Sequence, residues 1–186
     1  GGAESMILVY LLALGVVVGY LRGGRLKRYL QKPLKGVFLP VAGFLIESSL
    51  IWLPSLLTAP PIQWLWVVVA AEYLCLFAFL FINLDERAFW LVALGTATNL
   101  AAMVAHQMRM PVSPVILEFP SLSSFVERVQ SGELVEYVLV GWSAPLWWLG
   151  DCIPIPWGVP GVASVGDFLM GLGLFGWVQR MMLRKS

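Results

Sequence analysis

Long apolar runs separated by short polar links are the dominant pattern of this chain. Each run is close to the roughly 20 residues that a helix needs to cross a hydrocarbon core of about 30 Å. The repeated pattern predicts an all-α fold, a polytopic transmembrane helical bundle with about five spans and an outer cap that is interfacial or re-entrant. The predicted spans are residues 6–21, 36–57, 63–83, 88–107 and 165–182, and the outer cap is residues 109–164.

Composition supports a membrane protein. With 59% hydrophobic residues, 12% charged residues and a mean hydropathy of +0.82, the 186-residue chain is too apolar for an ordinary soluble domain. Its length suits one compact bundle, so we expect a single integral membrane domain over 6–186. Residues 1–5, ahead of Met6, are interpreted as an expression scar. The basic residues lie at the predicted membrane edges, which gives no indication of a nucleic-acid partner.

Lys and Arg residues are distributed unevenly over this topology. Of the 12 in the chain, all but Arg109 and Arg128 fall on the side that holds the 22–35 loop and the carboxyl-terminal residues. Because cytoplasmic loops carry the excess of Lys and Arg, we expect the amino terminus outside and the carboxyl terminus inside.

Residues 134–150 are apolar enough to form a sixth span. Glu136 and Pro145 interrupt the run, and a sixth span would place the basic carboxyl-terminal residues outside. We therefore expect an interfacial or re-entrant segment whose tryptophans lie at the headgroup level and which folds back over the bundle.

Two predicted spans carry a carboxylate near their middle, namely Glu47 and Glu72. The short Pro60–Pro61 link makes these spans an antiparallel hairpin, so both acids lie about 17–20 Å below the outer turn. Asn99 reaches the same depth from the fourth span. Ionisable groups at the membrane centre are costly and often functional, which predicts a polar site for a proton or cation. The alternative is that these side chains are hydrogen-bonded to one another and only hold the helices together.

A second group of polar residues is predicted at the outer surface. His106 shares a helix face with Asn99, and Arg109 follows it, so both could form an outer gate or hold a lipid headgroup. Asp151 is expected within reach of Arg109 or His106, and Asp167 completes the group. A lone interfacial histidine that anchors a helix end, and helix capping by Asp167, are the simpler interpretations.

Signals for several activities are absent. The sequence contains no P-loop, no HExxH, no GxSxG and no dinucleotide fingerprint, so we expect no cofactor. One histidine cannot build a histidine-rich metal centre, and we expect no metal.

Four short segments of the chain form a recognisable set. They are Leu21-Arg22-Gly23-Gly24-Arg25-Leu26, the Asn99 helix leading into Arg109-Met110-Pro111-Val112-Ser113, Leu149-Gly150-Asp151 with Ile153-Pro154, and Gly166-Asp167. In these segments the chain resembles a family of uncharacterised prokaryotic multi-pass membrane proteins, the domain of unknown function 5317. The resemblance implies a bacterial cytoplasmic (inner) membrane location and no particular activity.

Three functions remain open from the sequence. The first is binding or translocation of a small solute, ion or proton through the site formed by Glu47, Glu72 and Asn99. The second is an interfacial enzyme that acts on a lipid or isoprenoid headgroup. The third is a structural or accessory subunit. Membrane lipid is an expected partner in each case, and a homo-oligomer is compatible with all three.

Overall fold

The computed structural model of the chain describes residues 5–56, 62–155 and 160–184. These residues form six α-helices and four short β-strands. The helices are α1 (Ser5–Leu21), α2 (Phe38–Leu56), α3 (Ile62–Ile82), α4 (Phe89–Ala105), α5 (Ser123–Gln130) and α6 (Val165–Met182). The strands are β1 (Met110–Val112), β2 (Tyr137–Leu139), β3 (Asp151–Ile155) and β4 (Gly161–Ser164).

The strands form one mixed sheet in the order β2-β1-β3-β4. β1 is parallel to both of its neighbours, with Met110 opposite Tyr137 and Val112 opposite Asp151. β4 is antiparallel to β3 and pairs Ser164 with Asp151. Because β4 leads directly into α6, the sheet fixes the point at which that helix begins.

The structure shows that the predicted all-α polytopic bundle is wrong. Residues assigned to an outer cap form the sheet, and among the described residues only Gln63–Ile82, in α3, is both long and apolar enough to cross a membrane. α1 and α4 have 17 residues each and, at about 1.5 Å per residue, are shorter than a hydrocarbon core of about 30 Å. Apolar length located the five long helices correctly but could not establish what lies beside them.

Residues 134–150 contain no long helix. They form β2 and a single 3-10 turn over Trp147–Leu149. A sixth span is therefore not formed. The segment is tied to the end of α4, because His106 Nε2 lies 2.7 Å from the carbonyl oxygen of Pro145.

Close backbone approach joins α4 to α6, and α6 also packs along α1. A Cβ at Gly95 would collide with the carbonyl oxygen of Gly166, and a Cβ at Gly173 would lie 2.9 Å from the carbonyl oxygen of Ala88. These contacts require glycine, and they bring Asn99 of α4 against the first turn of α6.

Large apolar side chains remain exposed on the outer faces of α1 to α4. Leu21, Leu74 and Phe81 keep between 71% and 82% of their surface accessible. Trp142 and Trp148, beside the sheet, are also more than half exposed. The sheet side has a conventional core, with Val112, Ile116 and Val162 fully buried.

Candidate functional site

A cavity of about 250 Å³ lies between the helices and the sheet. α2 contributes Glu47, α3 contributes Glu72, and α4 contributes Asn99. The three polar residues that the sequence placed at one depth therefore line one cavity. The remaining lining comes from all parts of the fold: Leu8, Pro40, Phe44, Val69, Tyr73, Leu76, Thr96, Met103, Met110, Glu136, Asp167 and Met170.

The cavity is acidic. Glu136, directly before β2, and Asp167, in the first turn of α6, join Glu47 and Glu72, and no Lys, Arg or His is among the described lining residues. Four acidic residues lining one cavity create a negative potential that low-dielectric walls strengthen. Such a space attracts protons and cationic groups and repels anions.

A buried hydrogen-bond network forms one wall of this cavity. Asn99 Nδ2 donates to Asp167 Oδ1 over 2.7 Å, and Ser164 Oγ donates to Asn99 Oδ1 over 2.7 Å. Ser164 and Asp167 also form a capping box, in which each side chain accepts from the other residue's backbone N–H over 2.9 Å. The predicted capping role of Asp167 is confirmed, and the same carboxylate also faces the cavity.

The other side of the cavity combines apolar and aromatic surface. Phe44 and Tyr73 line it together with Leu76 and Met170. An aromatic ring face attracts a cation within about 6 Å of its centre, so this wall suits an organic cation better than a bare ion.

Two of the four predicted outer residues share a second cavity. His106 and Arg109 line a cavity of about 280 Å³ with Gln107 and Val138. Arg109 Nε is buried and makes no hydrogen bond within the described part of the chain. Gln107 has a positive φ of 60°, so the chain leaves α4 through a left-handed turn.

The other two predicted outer residues do not line this cavity. Asp167 belongs to the acidic cavity, and Asp151 is fully buried in the sheet, where its carbonyl oxygen accepts from Ser113 N over 2.9 Å. The expected approach of the Asp151 side chain to Arg109 or His106 stays a prediction.

Sequence reasoning missed Glu136 as a cavity residue. In the sequence Glu136 only interrupts an apolar run, and the three-residue strand that follows it shows no alternation from which a strand could be predicted. For Asp167 the sequence did contain a signal of its position. The Ser164–Asp167 spacing is typical of the first turn of a helix, and Asn99 lies on a helix of similar length.

Comparison with known proteins identifies the family. The model described as a family of unknown function (DUF5317) matches residues 31–179, which include all the acidic and amide residues of the cavity. The chain belongs to this family, as the sequence resemblance indicated. It is 30% identical over 172 residues to an uncharacterized protein of Thermotoga maritima, an alignment that covers 91% of this chain and 88% of the relative. No solved structure matches the chain.

Proposed function

We propose that this protein is a membrane protein that binds a small cationic solute, or protons, in the acidic cavity, as a step in its translocation. One observation carries the proposal: four carboxyl groups from α2, α3, α6 and the segment before β2 converge on a space of about 250 Å³ that no described basic residue enters. That volume, with Phe44 and Tyr73 in the wall, fits a small alkylammonium group.

Residence in a membrane is supported by the exposed apolar faces of α1 to α4. Each large aliphatic or aromatic side chain left in water forfeits roughly 1.5–3 kcal/mol of burial, and contiguous apolar patches mark membrane or protein contacts. Residues Gln63–Ile82 have a mean hydropathy of 2.4, with only 22% of the segment buried inside the protein. We infer that lipid covers this surface in a bacterial cytoplasmic membrane.

The experiment measures binding of methylammonium and tetramethylammonium to the purified protein. Each ion is titrated into the protein in a calorimeter at pH 5 and at pH 8. We expect binding that weakens about tenfold or more in Glu47→Gln and Glu72→Gln, since each removes one charge and keeps the side-chain shape. Glu118→Gln is the matched control, because Glu118 is exposed and lies outside the cavity.

Two results would reject the proposal. One is that neither ammonium ion binds the wild type and that no proton uptake accompanies the change from pH 8 to pH 5. The other is that Glu118→Gln weakens binding as much as the cavity variants do. Unchanged behaviour of the Glu47→Gln/Glu72→Gln double variant would favour the structural role, in which these side chains only hold helices together.

An interfacial enzyme that acts on lipid headgroups is the second candidate function. It is favoured by the shared cavity of His106 and Arg109, where Arg109 Nε has no hydrogen-bond acceptor among the described residues. Lipid turnover that His106→Ala abolishes and Glu72→Gln leaves intact would establish it in place of the transport proposal.

A further inference from the structure

A third cavity, of about 630 Å³, lies at the end of the molecule where α1 and α6 finish. Its walls also include the end of the 3-10 turn Leu26–Gln31 and the link between α3 and α4. Four basic side chains line it: Arg22, Lys32, Arg180 and Arg184. Two carboxylates line it as well, Asp85 and Glu86.

The two carboxylates are already used by two of these basic residues. Glu86 Oε1 accepts from Lys32 Nζ over 2.7 Å and from Arg184 Nη2 over 2.5 Å, and Lys32 Nζ also lies 2.5 Å from Asp85 Oδ2. Burial is the largest single effect on Glu86 and opposes its ionisation, but Lys32 and Arg184 together outweigh it and lower the pKa. The hydrogen bond from Lys32 likewise lowers the pKa of Asp85.

The remaining donors have no acid partner. Among the described residues Arg22 and Arg180 form no ion pair, and Arg184 Nη1 is buried without a hydrogen bond. A buried guanidinium donor without an acceptor is unfavourable, so its presence here needs a physical reason. The cavity as a whole carries two more positive than negative charges.

The fold holds Arg22 in place at the rim. Arg22 Nη1 donates to Gln179 Oε1 over 3.0 Å, and Gln179 Nε2 in turn donates to the carbonyl oxygen of Gly15. The chain then turns at Gly23, with φ of 79°, and packs Gly24 so tightly that a Cβ would lie 2.8 Å from Met182 Cβ. The glycine pair in the 21–26 motif therefore fixes the guanidinium against the end of α6.

We propose that this cavity is a binding site for a phosphate group, held by Arg22, Arg180 and the free edge of Arg184. Guanidinium groups bind phosphate oxygens through paired charge-assisted hydrogen bonds, and the excess of two positive charges favours a phosphate group, which carries one negative charge as a diester and up to two as a monoester. The phosphate belongs either to a soluble ester or to an anionic lipid headgroup. The site is separate from the acidic cavity, with which it shares no lining residue.

The test measures binding of two probes to the full chain. Inorganic phosphate is titrated calorimetrically into protein in detergent, and the protein is reconstituted in nanodiscs of phosphatidylglycerol or phosphatidylcholine to count retained lipid by native mass spectrometry. We expect Arg22→Gln and Arg180→Gln to weaken binding about tenfold or more, because each removes a charge-assisted hydrogen bond. Both residues are exposed, so the variants should fold, which gel filtration and thermal unfolding check.

Arg128→Gln is the matched control, since Arg128 is an exposed arginine whose partner Glu133 lies far from the cavity in sequence and outside its lining. It should leave binding unchanged. Asp85→Asn should tighten phosphate binding about threefold or more, because it removes a competing carboxylate whose side chain is 58% exposed.

Each outcome decides the proposal. Binding of inorganic phosphate indicates a soluble ester as the source, and selective retention of phosphatidylglycerol alone indicates a lipid headgroup. The proposal would be overturned if the protein bound neither inorganic phosphate nor phosphatidylglycerol. It would also be overturned if Arg128→Gln weakened binding as much as Arg22→Gln does, or if Asp85→Asn weakened binding.

Discussion

At the scale of single residues, Asn99 is a buried amide with two side-chain partners. It is 3% exposed, and its amide joins Asp167 to Ser164 with one donated and one accepted hydrogen bond. The sequence placed Asn99 in a polar layer from helix length alone. It could not identify these two partners, because they lie 65 or more residues away along the chain.

Replacement of Asn99 should therefore be costly. Asn99→Leu leaves the Ser164 hydroxyl and one Asp167 oxygen buried without their partner, which we expect to lower the free energy of unfolding by about 2–4 kcal/mol. Thr98→Ala is the control on the same helix, since the Thr98 hydroxyl only bonds the carbonyl oxygen of Gly95 within its own turn. Equal stability of the two variants in chemical unfolding would contradict this role of the network.

Glu86 makes stability depend on pH. Its pKa is lower in the folded protein than its ordinary value of 4.5, so the stabilisation is complete above that value and is lost as the pH falls through the lowered pKa. We expect Glu86→Gln to lower the free energy of unfolding by about 1–3 kcal/mol at pH 7. The difference between variant and wild type should shrink as the pH falls below 4.5. A difference that stays constant from pH 7 to pH 3 would show that the carboxylate charge is not the cause.

At the scale of elements, helices were predictable and strands were not. α3 has 21 residues without proline or glycine, so its apolar run identified it directly. β1 and β2 have three residues each, and β3 contains Pro154, so no strand displays a clear alternation. Their pairing depends on contacts between segments far apart in sequence, which local patterns do not encode.

The contact between α4 and α6 can be tested by adding a single methyl group at its closest point. Gly95→Ala would drive a methyl group into the backbone of α6 at Gly166 and Met170, and we expect a loss of about 2 kcal/mol or more. Gly176→Ala, with its nearest neighbour at 3.8 Å, should instead stabilise the protein by about 0.5–1 kcal/mol through helix propensity. Unfolding curves that move in the same direction for both variants would argue against close backbone packing as the reason for Gly95.

At the scale of the whole molecule, the fold is polarised along α4. The basic cavity lies beside the link that precedes this helix, and the sheet begins just after it. Because α4 has 17 residues, the basic cavity and the start of the sheet lie about 25 Å apart. Charge counting predicted that most basic residues lie on one side. It could not show that Arg22, Lys32, Arg180 and Arg184 line one cavity, because that depends on α1 and α6 ending at the same place.

Combined with the proposed membrane location, this polarity gives a prediction about orientation. With Cys75 and Cys152 replaced by serine, single cysteines are introduced at Arg87 and Ser121, which are both exposed, one in the link before α4 and one on the sheet side. Because Lys and Arg are retained on the cytoplasmic side, we expect a membrane-impermeant thiol reagent to label Ser121→Cys in intact cells. Arg87→Cys should react only after permeabilisation. Labelling of both from outside, or of neither until the cells are opened, would mean that the helical layer does not separate these two ends across a bilayer. The exposed apolar faces of α1 to α4 would then require a protein partner instead of lipid.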